Sequence, residues 1–398
     1  MKRIVEINSV NFSSTGNIML NIAETAREHE YEVFTFHPSG RSQRKDIEGD
    51  YAFGNRYERI VSSRFNFFTG KQGRGNILGT FGLLRRIRAI EPSIIHLHNL
   101  HSDYVNISML IRYIRKHKIR IVWTLHDCWA FTGRCPYFDI LGCNQWKTGC
   151  DDCRYPKCEY PTSFMNKSHA MWKTKKKMFT CIPNMTIITP SQWLADLVNE
   201  SFLKQYPIFV INNGIDLSVF KPTESDFRVI HNISKDTFII LGVAFGWGER
   251  KGLDRIIRLS KILDQRYKIV LVGTNEKIDK ELPVNILSIH RTQDQRQLAE
   301  IYSAADVFLN PTREDNFPTV NIEALACGTP VLSYGAGGSA EAFDDTCGKI
   351  VSDNTIIEVL ESLYVKNYDT RACLNRAKKY DLANLFLEYV SLYNSILS

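Results

Sequence analysis

The chain alternates predicted strands and helices along almost its whole length, and the pattern begins afresh half-way. Apolar runs predict strands at residues 4–7, 32–36, 94–97, 119–125, 185–188 and 208–211, and then at 238–244, 268–272, 285–289, 307–310 and 331–333. Amphipathic segments between them predict helices, for example at 18–29, 79–89, 253–263 and 295–303. This alternation is typical of parallel sheets covered by helices. We therefore predict an α/β protein of two Rossmann-like doubly wound domains facing a central cleft.

Turn residues mark where one domain gives way to the next. They gather at residues 212–216 and at Lys221-Pro222. The predicted domains are 1–220, which carries a cysteine-rich insert at 128–158, and 221–380. A C-terminal helix at 381–398 is expected to pack back toward the first domain. Ligands of such domains bind at the carboxyl ends of the strands, so the pattern predicts a ligand-binding wall on each domain.

Charge is distributed unevenly between the two predicted domains. Residues 1–220 hold 29 basic and 19 acidic side chains, a net charge of +10, whereas residues 221–398 hold 21 and 24, a net charge of −3. A basic half suggests an anionic partner such as a membrane, a phosphorylated lipid or a nucleic acid, although a merely solvated basic surface is equally compatible. The chain lacks the basic, aromatic-interleaved strand motif of RNA-binding domains, so we expect no nucleic-acid partner. No export signal is recognisable, which favours the cytoplasm.

The sharpest signal in the second half is an acidic loop that leads into a helix. Glu314, Asp315 and Asn316 follow a predicted strand, and Pro318 and Thr319 open the next helix. The N-terminus of a helix offers free backbone N–H groups and a positive dipole end, which suit a diphosphate. Nearby carboxylates suit the hydroxyl groups of a sugar or a ribose. A plain loop-to-helix connection would give the same pattern without any ligand.

Two histidine motifs mark strand ends in the first half. His98 and Asn99 follow one predicted strand, and His126 and Asp127 follow the next. A single histidine is usually structural, but two at neighbouring strand ends indicate a functional site.

These motifs resemble glycosyltransferase family 4, whose members are retaining enzymes of the GT-B fold. The resemblance rests on residues 301–341, with Glu323 as the second acidic residue, and extends to Gly246–Gly252 and to the strand-end histidines. It implies that Glu323 contacts the ribose, that Asp315 contacts the donor sugar with Glu314 able to share this role, and that Lys251 neutralises the diphosphate. Gly246 stands where the family has an arginine, so Arg250 is expected to substitute.

The resemblance also assigns roles in the first domain. It places His126 beside the reacting sugar, and Gly16 in a loop that approaches the donor phosphate. The motifs and the resemblance together give three sets of predicted site residues. The catalytic residues are His126, Arg250, Lys251 and Asp315; the donor-binding residues are Gly16, Glu314, Asn316, Phe317, Pro318, Thr319 and Glu323; the acceptor side has His98, Asn99 and Asp127.

The insert contains cysteines at a spacing that ends in C-x-x-C. Cys135, Cys143, Cys150 and Cys153 can be read as a structural zinc site or as reduced, packed thiols, and we predict no other metal or cofactor. The segment resembles a family 4 subgroup that builds bacterial surface polysaccharides such as colanic acid, O-antigen and capsule. Nearby lysines 173, 175, 176 and 177 suit an anionic membrane.

The expected function is the retaining transfer of a sugar from a nucleotide diphosphate sugar to a lipid-linked saccharide. The protein would act as a peripheral enzyme at the inner face of the cell membrane. Two alternatives stay open at the sequence level, because a fold does not fix a function. One is a nucleotide-sugar epimerase of the same fold, and the other is a non-catalytic nucleotide-sugar-binding subunit.

Overall fold

The computed structural model describes residues 2–41, 47–151, 153, 163–366 and 368–398. The chain forms two compact units, each built on one parallel sheet. The first unit comprises Met1–Asn212 and Leu385–Ser398, and the second comprises Asn213–Asn384. The two predicted doubly wound domains are therefore present.

Seven parallel strands form the sheet of the first unit, in the order β3-β2-β1-β4-β5-β6-β7. The strands are β1 Lys2–Ile7, β2 Tyr31–Pro38, β3 Asp50–Phe53, β4 Ile94–Leu97, β5 Arg120–Thr124, β6 Met185–Thr189 and β7 Ile208–Val210. The helices are α1 Ser13–Glu28, α2 Arg56–Thr69, α3 Ile77–Ile90, α4 Ile107–His117, α5 Ser168–Phe179 and α6 Gln192–Glu200, with 3₁₀ turns at Cys128–Ala130 and Gln145–Lys147.

Six parallel strands form the sheet of the second unit, in the order β10-β9-β8-β11-β12-β13. The strands are β8 Phe238–Val243, β9 Tyr267–Val272, β10 Ile286–Ile289, β11 Val307–Asn310, β12 Val331–Ser333 and β13 Gly348–Ile350. The helices are α7 Phe227–Ile230, α8 Leu253–Ser260, α9 Glu276–Asp279, α10 Gln295–Ala304, α11 Thr319–Ala326, α12 Ile356–Val365 and α13 Thr370–Ala377, with a 3₁₀ turn at Lys378–Tyr380. The last helix, α14 Leu382–Leu397, belongs to the first unit from Leu385 onward.

The central strands of both sheets are continuous apolar runs because helices cover both of their faces. In β4 and β11 every residue is buried, and the cores extend from these strands into the flanking helices. The exceptions are polar side chains near the carboxyl ends of the strands. Glu6, His96 and Asn310 are among these buried polar residues.

Helix α2 is not predicted by the apolar pattern, and its burial explains why. Its two fully buried positions are polar, Ser62 and Asn66, whereas several of its large apolar side chains are exposed. Asn55 starts the helix by accepting hydrogen bonds from two backbone amides of the first turn, and Gly70 ends it in a left-handed conformation. Local capping chemistry and a polar contact face thus form this helix, rather than an amphipathic stripe facing the core.

Lys175 is the one member of the predicted membrane-facing lysine cluster that the structure contradicts. Its side chain is fully buried on α5, where Nζ donates hydrogen bonds to the carbonyl oxygens of Trp129 and Thr132 at 2.7 and 3.1 Å. The ammonium also lies over the Trp129 ring, 3.5 Å from its centroid. Lys175 therefore braces the segment that follows β5 and cannot contact a bilayer.

Helices of the described residues are too short or too polar to cross a bilayer.

Candidate active site

The order of strands in the second sheet reverses between β8 and β11, where neighbouring strands feed loops to opposite sides of the sheet. Such a reversal opens a crevice at the carboxyl ends of the strands, where α/β proteins bind their ligands. Residues 244–252 follow β8, and residues 311–318 follow β11. The two loops are joined directly, since the backbone N–H of Arg313 donates to the carbonyl oxygen of Arg250 at 2.9 Å.

Lys251 and Asp315 meet at this junction. The ammonium Nζ of Lys251 lies 2.5 Å from Oδ2 of Asp315, and Oδ1 of Asp315 accepts a hydrogen bond from the backbone N–H of Asn316 at 3.0 Å. Both side chains keep some exposure, 20% for Lys251 and 16% for Asp315. The pair is thus held in place and still reachable by a ligand. The structure brings together two residues that the sequence analysis assigned to catalysis.

Arg250 and Glu314 make a second link between the same loops. An Arg250 guanidinium N–H donates to the backbone carbonyl of Glu314 at 3.3 Å. Glu314 is buried, with 6% exposure, so Asp315 is the more accessible of the two neighbouring acidic residues. Which of the two contacts a donor sugar stays a prediction, and the difference in exposure favours Asp315.

Helix α11 begins directly after this acidic loop. Pro318 stands at the position before the helix, one residue earlier than its predicted place in the first turn, and Thr319 is the first helical residue. Pro318 supplies no side-chain hydrogen bond to cap the helix, and its carbonyl oxygen accepts from the Asn321 N–H at 3.2 Å. The backbone amides of Thr319 and Val320 are therefore the candidate anion ligands.

Glu323 lies one turn further along α11. Its carboxylate accepts a hydrogen bond from the Tyr302 hydroxyl at 3.1 Å, and burial raises the pKa of Glu323 above its ordinary value. Tyr302 is a site residue that the sequence analysis did not assign, because a tyrosine in an amphipathic helix reads as part of the core.

Contacts with residues from other parts of the second unit hold the acidic loop in place. Gly337 approaches so closely that a Cβ atom there would lie 1.9 Å from the carbonyl oxygen of Asp315, and its φ of +57° is one that glycine adopts without strain. Phe317 packs against Tyr380, with ring centroids 5.6 Å apart, and its carbonyl oxygen accepts from the Asn213 amide at 3.1 Å. The conformation that presents Asp315 is therefore set by packing.

A second polar cluster lies at the carboxyl ends of β1, β4 and β5 in the first unit. His98 Nδ1 is 3.0 Å from His126 Nε2, and His98 Nε2 is 3.3 Å from Oε2 of Glu6. The two imidazole rings stack, with centroids 5.3 Å apart. The predicted pair of strand-end histidines is thus in direct contact, and Glu6 is a third member. Glu6 could have been found in the sequence as a lone carboxylate within the apolar first strand.

This row of hydrogen bonds couples the protonation of Glu6 to the tautomer of His126. Burial lowers the pKa of both His98 and His126 to about 3, so both rings are neutral near pH 7. An ionised Glu6 accepts from Nε2–H of His98, whose Nδ1 then accepts from Nε2–H of His126. A protonated Glu6 donates instead, and both rings change to the opposite tautomer.

The other predicted residues of the first unit have separate surroundings. Asp127 Oδ2 lies 2.9 Å from His101 Nε2, and its Oδ1 accepts from the backbone N–H of Trp129 at 2.8 Å. Asn99 accepts the Tyr104 hydroxyl through its backbone carbonyl at 2.7 Å. Gly16 lies in the first turns of α1 and not in the predicted loop, and a Cβ atom there would come within 2.6 Å of the Asn11 backbone. Close packing alone therefore requires a glycine there.

Where the structure describes them, the cysteines of the insert form no disulfide bond; residues 152 and 154–158 lie outside the described residues. Cys150 accepts a hydrogen bond from the backbone N–H of Gly133, and burial raises its pKa to about 11. Within the described part of the chain, the only group with metal-like geometry is Glu6, His96 and His98. Nothing in this part supports the predicted zinc at Cys135, Cys143, Cys150 and Cys153.

Two family models match this chain almost from end to end. The model described as Glycosyltransferase Family 4 matches residues 16–219, and the model described as Glycosyl transferases group 1 matches residues 224–379. The chain belongs to glycosyltransferase family 4. It is therefore an enzyme of the transferase class, and its two parallel-sheet units are those of a GT-B fold.

Named relatives and solved structures agree with this assignment. The chain is 28% identical over 295 residues to the putative colanic acid biosynthesis glycosyl transferase WcaC of Escherichia coli K12, covering 72% of this chain and 71% of the relative. It is 24% identical over 221 residues to a Campylobacter jejuni N,N'-diacetylbacillosaminyl-diphospho-undecaprenol alpha-1,3-N-acetylgalactosaminyltransferase, covering 51% and 58%. Anabaena HepE, solved with UDP and glucose, matches at a TM-score of 0.68 and 14% identity, covering 99% of this chain and 100% of HepE.

Replacing Gly337 by alanine should displace the acidic loop of this family 4 enzyme. The new Cβ would collide with the Asp315 carbonyl in a strained φ region, so the variant should lose about 1 kcal/mol or more of unfolding free energy. Denaturant unfolding would measure the loss. Gly248→Ala is the matched control, because a Cβ there meets nothing within 4 Å. Equal stability of the two variants would contradict the close packing described here.

The stability of the Glu6→Gln variant relative to that of the wild type should increase as the pH rises. Burial raises the pKa of Glu6 well above its ordinary value, so the folded state holds this proton more tightly than the unfolded chain does. The stabilising contribution is complete below the unfolded pKa of about 4.3 and is lost as the pH climbs toward the folded pKa. The uncharged amide removes this loss.

Unfolding free energies at pH 5 and pH 8 would test this sign. The advantage of Glu6→Gln over the wild type should be larger at pH 8 than at pH 5. Glu24→Gln, at an exposed position on α1, should show a flat difference. A flat difference for Glu6→Gln as well would show that Glu6 does not carry the buried proton.

Proposed function

We propose that this enzyme transfers a sugar from a nucleotide diphosphate sugar to a lipid-linked saccharide during the synthesis of a bacterial surface polysaccharide. The Lys251–Asp315 pair beside the N-terminus of α11 carries this proposal. HepE, which has the same fold, was solved with UDP and glucose, and the WcaC and Campylobacter relatives are named for surface-polysaccharide and undecaprenol-linked substrates.

The chemistry requires a stabilised leaving group. The bond between the anomeric carbon and the diphosphate breaks, the acceptor oxygen bonds to that carbon, and the acceptor hydroxyl gives its proton to the departing diphosphate oxygen. Charge accumulates on the departing diphosphate, where the Lys251 ammonium, the Arg250 guanidinium and the α11 amides would stabilise it without a metal ion. In this proposal, Glu323 holds the ribose hydroxyls and Asp315 those of the donor sugar.

Retention of anomeric configuration is part of the same proposal. It rests on the resemblance to the retaining enzymes of family 4. His126 is proposed to lie beside the reacting sugar, with Glu6 and His98 selecting the tautomer it presents. A nucleotide-sugar epimerase is not favoured, because the models and the relatives cited above are all named for glycosyl transfer.

Lys251→Ala and Glu323→Ala should each abolish most of the transfer. Loss of a fixed charge at the leaving group typically reduces kcat about 100-fold or more, and loss of the ribose contact should raise KM for the donor. Steady-state kinetics with uridine, guanosine and adenosine diphosphate sugars would measure both parameters. Lys280→Ala, at an exposed lysine of the same unit, is the control. Undiminished transfer by the first two variants would refute this site.

The membrane-facing surface that we propose is different from the predicted lysine cluster. It is the α2–α3 apolar face, formed by five large side chains with exposures of 60–77%. Its members are Tyr57, Val61, Phe68, Leu78 and Phe81. The two helices are joined, since the Glu58 carboxylate accepts the backbone N–H groups of Leu78 and Gly79 at 2.8 and 2.9 Å.

Arginines surround this apolar face. Arg56, Arg64, Arg74 and Arg85 are exposed on or beside the same two helices, and Glu58 is engaged in capping α3. An exposed apolar face rimmed by cations suits the surface of a bilayer that contains anionic lipid. This arrangement favours peripheral attachment on the cytoplasmic side, where the lipid-linked acceptor of the proposed reaction would be presented.

Leu78→Asp should weaken binding to vesicles that contain phosphatidylglycerol. Burial of one leucine side chain stabilises by roughly 1.5–3 kcal/mol, so partitioning should fall about tenfold or more. Sedimentation with the vesicles would measure it. Val284→Asp introduces the same charge at another fully exposed apolar position and should bind as the wild type does. Equal binding by both variants would exclude the α2–α3 apolar face as the attachment surface.

A further inference from the structure

A separate pocket opens beside Asp127 in the first unit. Its cavity volume is about 60 Å³, and it is open to solvent on one side. The end of α2, the loops after α2 and β4, and the start of the insert form its walls. The lining residues are Asn66, Gln72, His101, Ser102, Asp103, Trp129, Arg134 and Pro136. None of these belongs to the sites predicted from the sequence.

Two buried side-chain amides line this pocket, and in each of them one polar atom has a hydrogen-bond partner and the other has none. The Gln72 carbonyl Oε1 accepts the Trp129 indole N–H at 2.7 Å, and the Asn66 Nδ2 group donates to the Asp103 carboxylate at 2.8 Å. An indole can only donate and a carboxylate only accept, so the orientation of both amides is fixed.

The other half of each amide is unsatisfied. Among the described residues, neither Nε2 of Gln72 nor Oδ1 of Asn66 finds a hydrogen-bond partner, although both side chains are at least 95% buried. Buried polar atoms almost always have partners, so a donor and an acceptor left open in one pocket indicate a polar ligand.

The backbone is strained in the loop after β4, which forms one wall of the pocket. Ser102 and Asp103 have φ values of +82° and +54°, which residues other than glycine seldom adopt. Asp103 is held there by the backbone N–H of Gly73 at 3.2 Å in addition to Asn66. Strain of this kind persists where surrounding contacts enforce it, and it concentrates at binding and catalytic sites.

We propose that this pocket binds a sugar ring of the acceptor saccharide. The proposal deepens the proposed function and rests on it. Adjacent hydroxyl groups of a pyranose both donate and accept, which matches the buried, unsatisfied Gln72 donor and Asn66 acceptor and the Ser102 hydroxyl. Arg134 adds a cation, and the rings of Trp129 and Pro136 supply apolar surface for the C–H face of the sugar.

The position of the pocket suits an acceptor that is attached to a lipid. Its His101 wall contacts Asp127, the residue after His126, so a bound ring lies close to the histidine row. Helix α2 carries Asn66 on its buried side and Val61 and Phe68 on its exposed side. One helix would therefore place the lipid end in the bilayer and the saccharide end in the pocket.

The test is to measure binding of the full chain to an array of defined oligosaccharides from bacterial O-antigens, capsules and colanic acid. UDP is present in the assay. Gln72→Glu keeps an oxygen for the Trp129 indole but replaces the open donor by an acceptor, and Gln72→Met removes the donor without adding charge. Each should weaken binding about tenfold or more, since a lost buried hydrogen bond costs about 1–3 kcal/mol.

Matched substitutions at the exposed Gln205, Gln205→Glu and Gln205→Met, should bind as the wild type does. Thermal unfolding of every variant identifies any that fail to fold, and the two Gln72 variants perturb the Trp129 contact differently. Wild-type protein that binds no oligosaccharide, or folded Gln72 variants that bind as tightly as wild type, would overturn the proposal. Thermal shifts with UDP, GDP and ADP on the same samples report separately on the donor site, so the absence of a shift with every nucleotide would instead refute the proposed function.

Discussion

Reversal of strand order within a parallel sheet is the constraint on which both sites depend. Neighbouring strands at a reversal send their loops to opposite sides of the sheet, and side chains at the strand ends are left without a covering helix. In the second sheet this occurs between β8 and β11, and the Lys251–Asp315 pair joins the two loops. In the first sheet it occurs between β1 and β4, where Glu6 and His98 meet.

The two units use this geometry for different electrostatic purposes. The second unit leaves a cation, a carboxylate and the start of a helix accessible, an arrangement suited to a ligand that carries a diphosphate and hydroxyl groups. The first unit buries its titratable groups, and burial holds both histidines neutral. Neutral imidazoles exchange donor and acceptor roles without changing charge, which would suit the position beside the reacting sugar that is proposed for His126.

Much of this arrangement could be predicted from the sequence because strand ends and helix starts are local signals. The acidic loop before Thr319 and the histidines after β4 and β5 could be found from spacing alone, and the structure places His98 against His126 and Lys251 against Asp315. Contacts between distant segments carry no such signal. Tyr302 reaches Glu323, and Gln72 reaches Trp129, only through the fold. Helix α2 was missed for the opposite reason, since it buries polar residues and exposes apolar ones.

The central claim is that the loops after β8 and β11 bind the nucleotide diphosphate of the donor. Hydrogen exchange of the full chain, followed by mass spectrometry with and without UDP, GDP or ADP, measures this directly. One nucleotide should protect backbone amides in residues 246–255 and 313–326. The exchange rates of the backbone amides in β13 and α12 should not change. Absence of protection in both loops with every nucleotide, or protection confined to the first unit, would contradict the account.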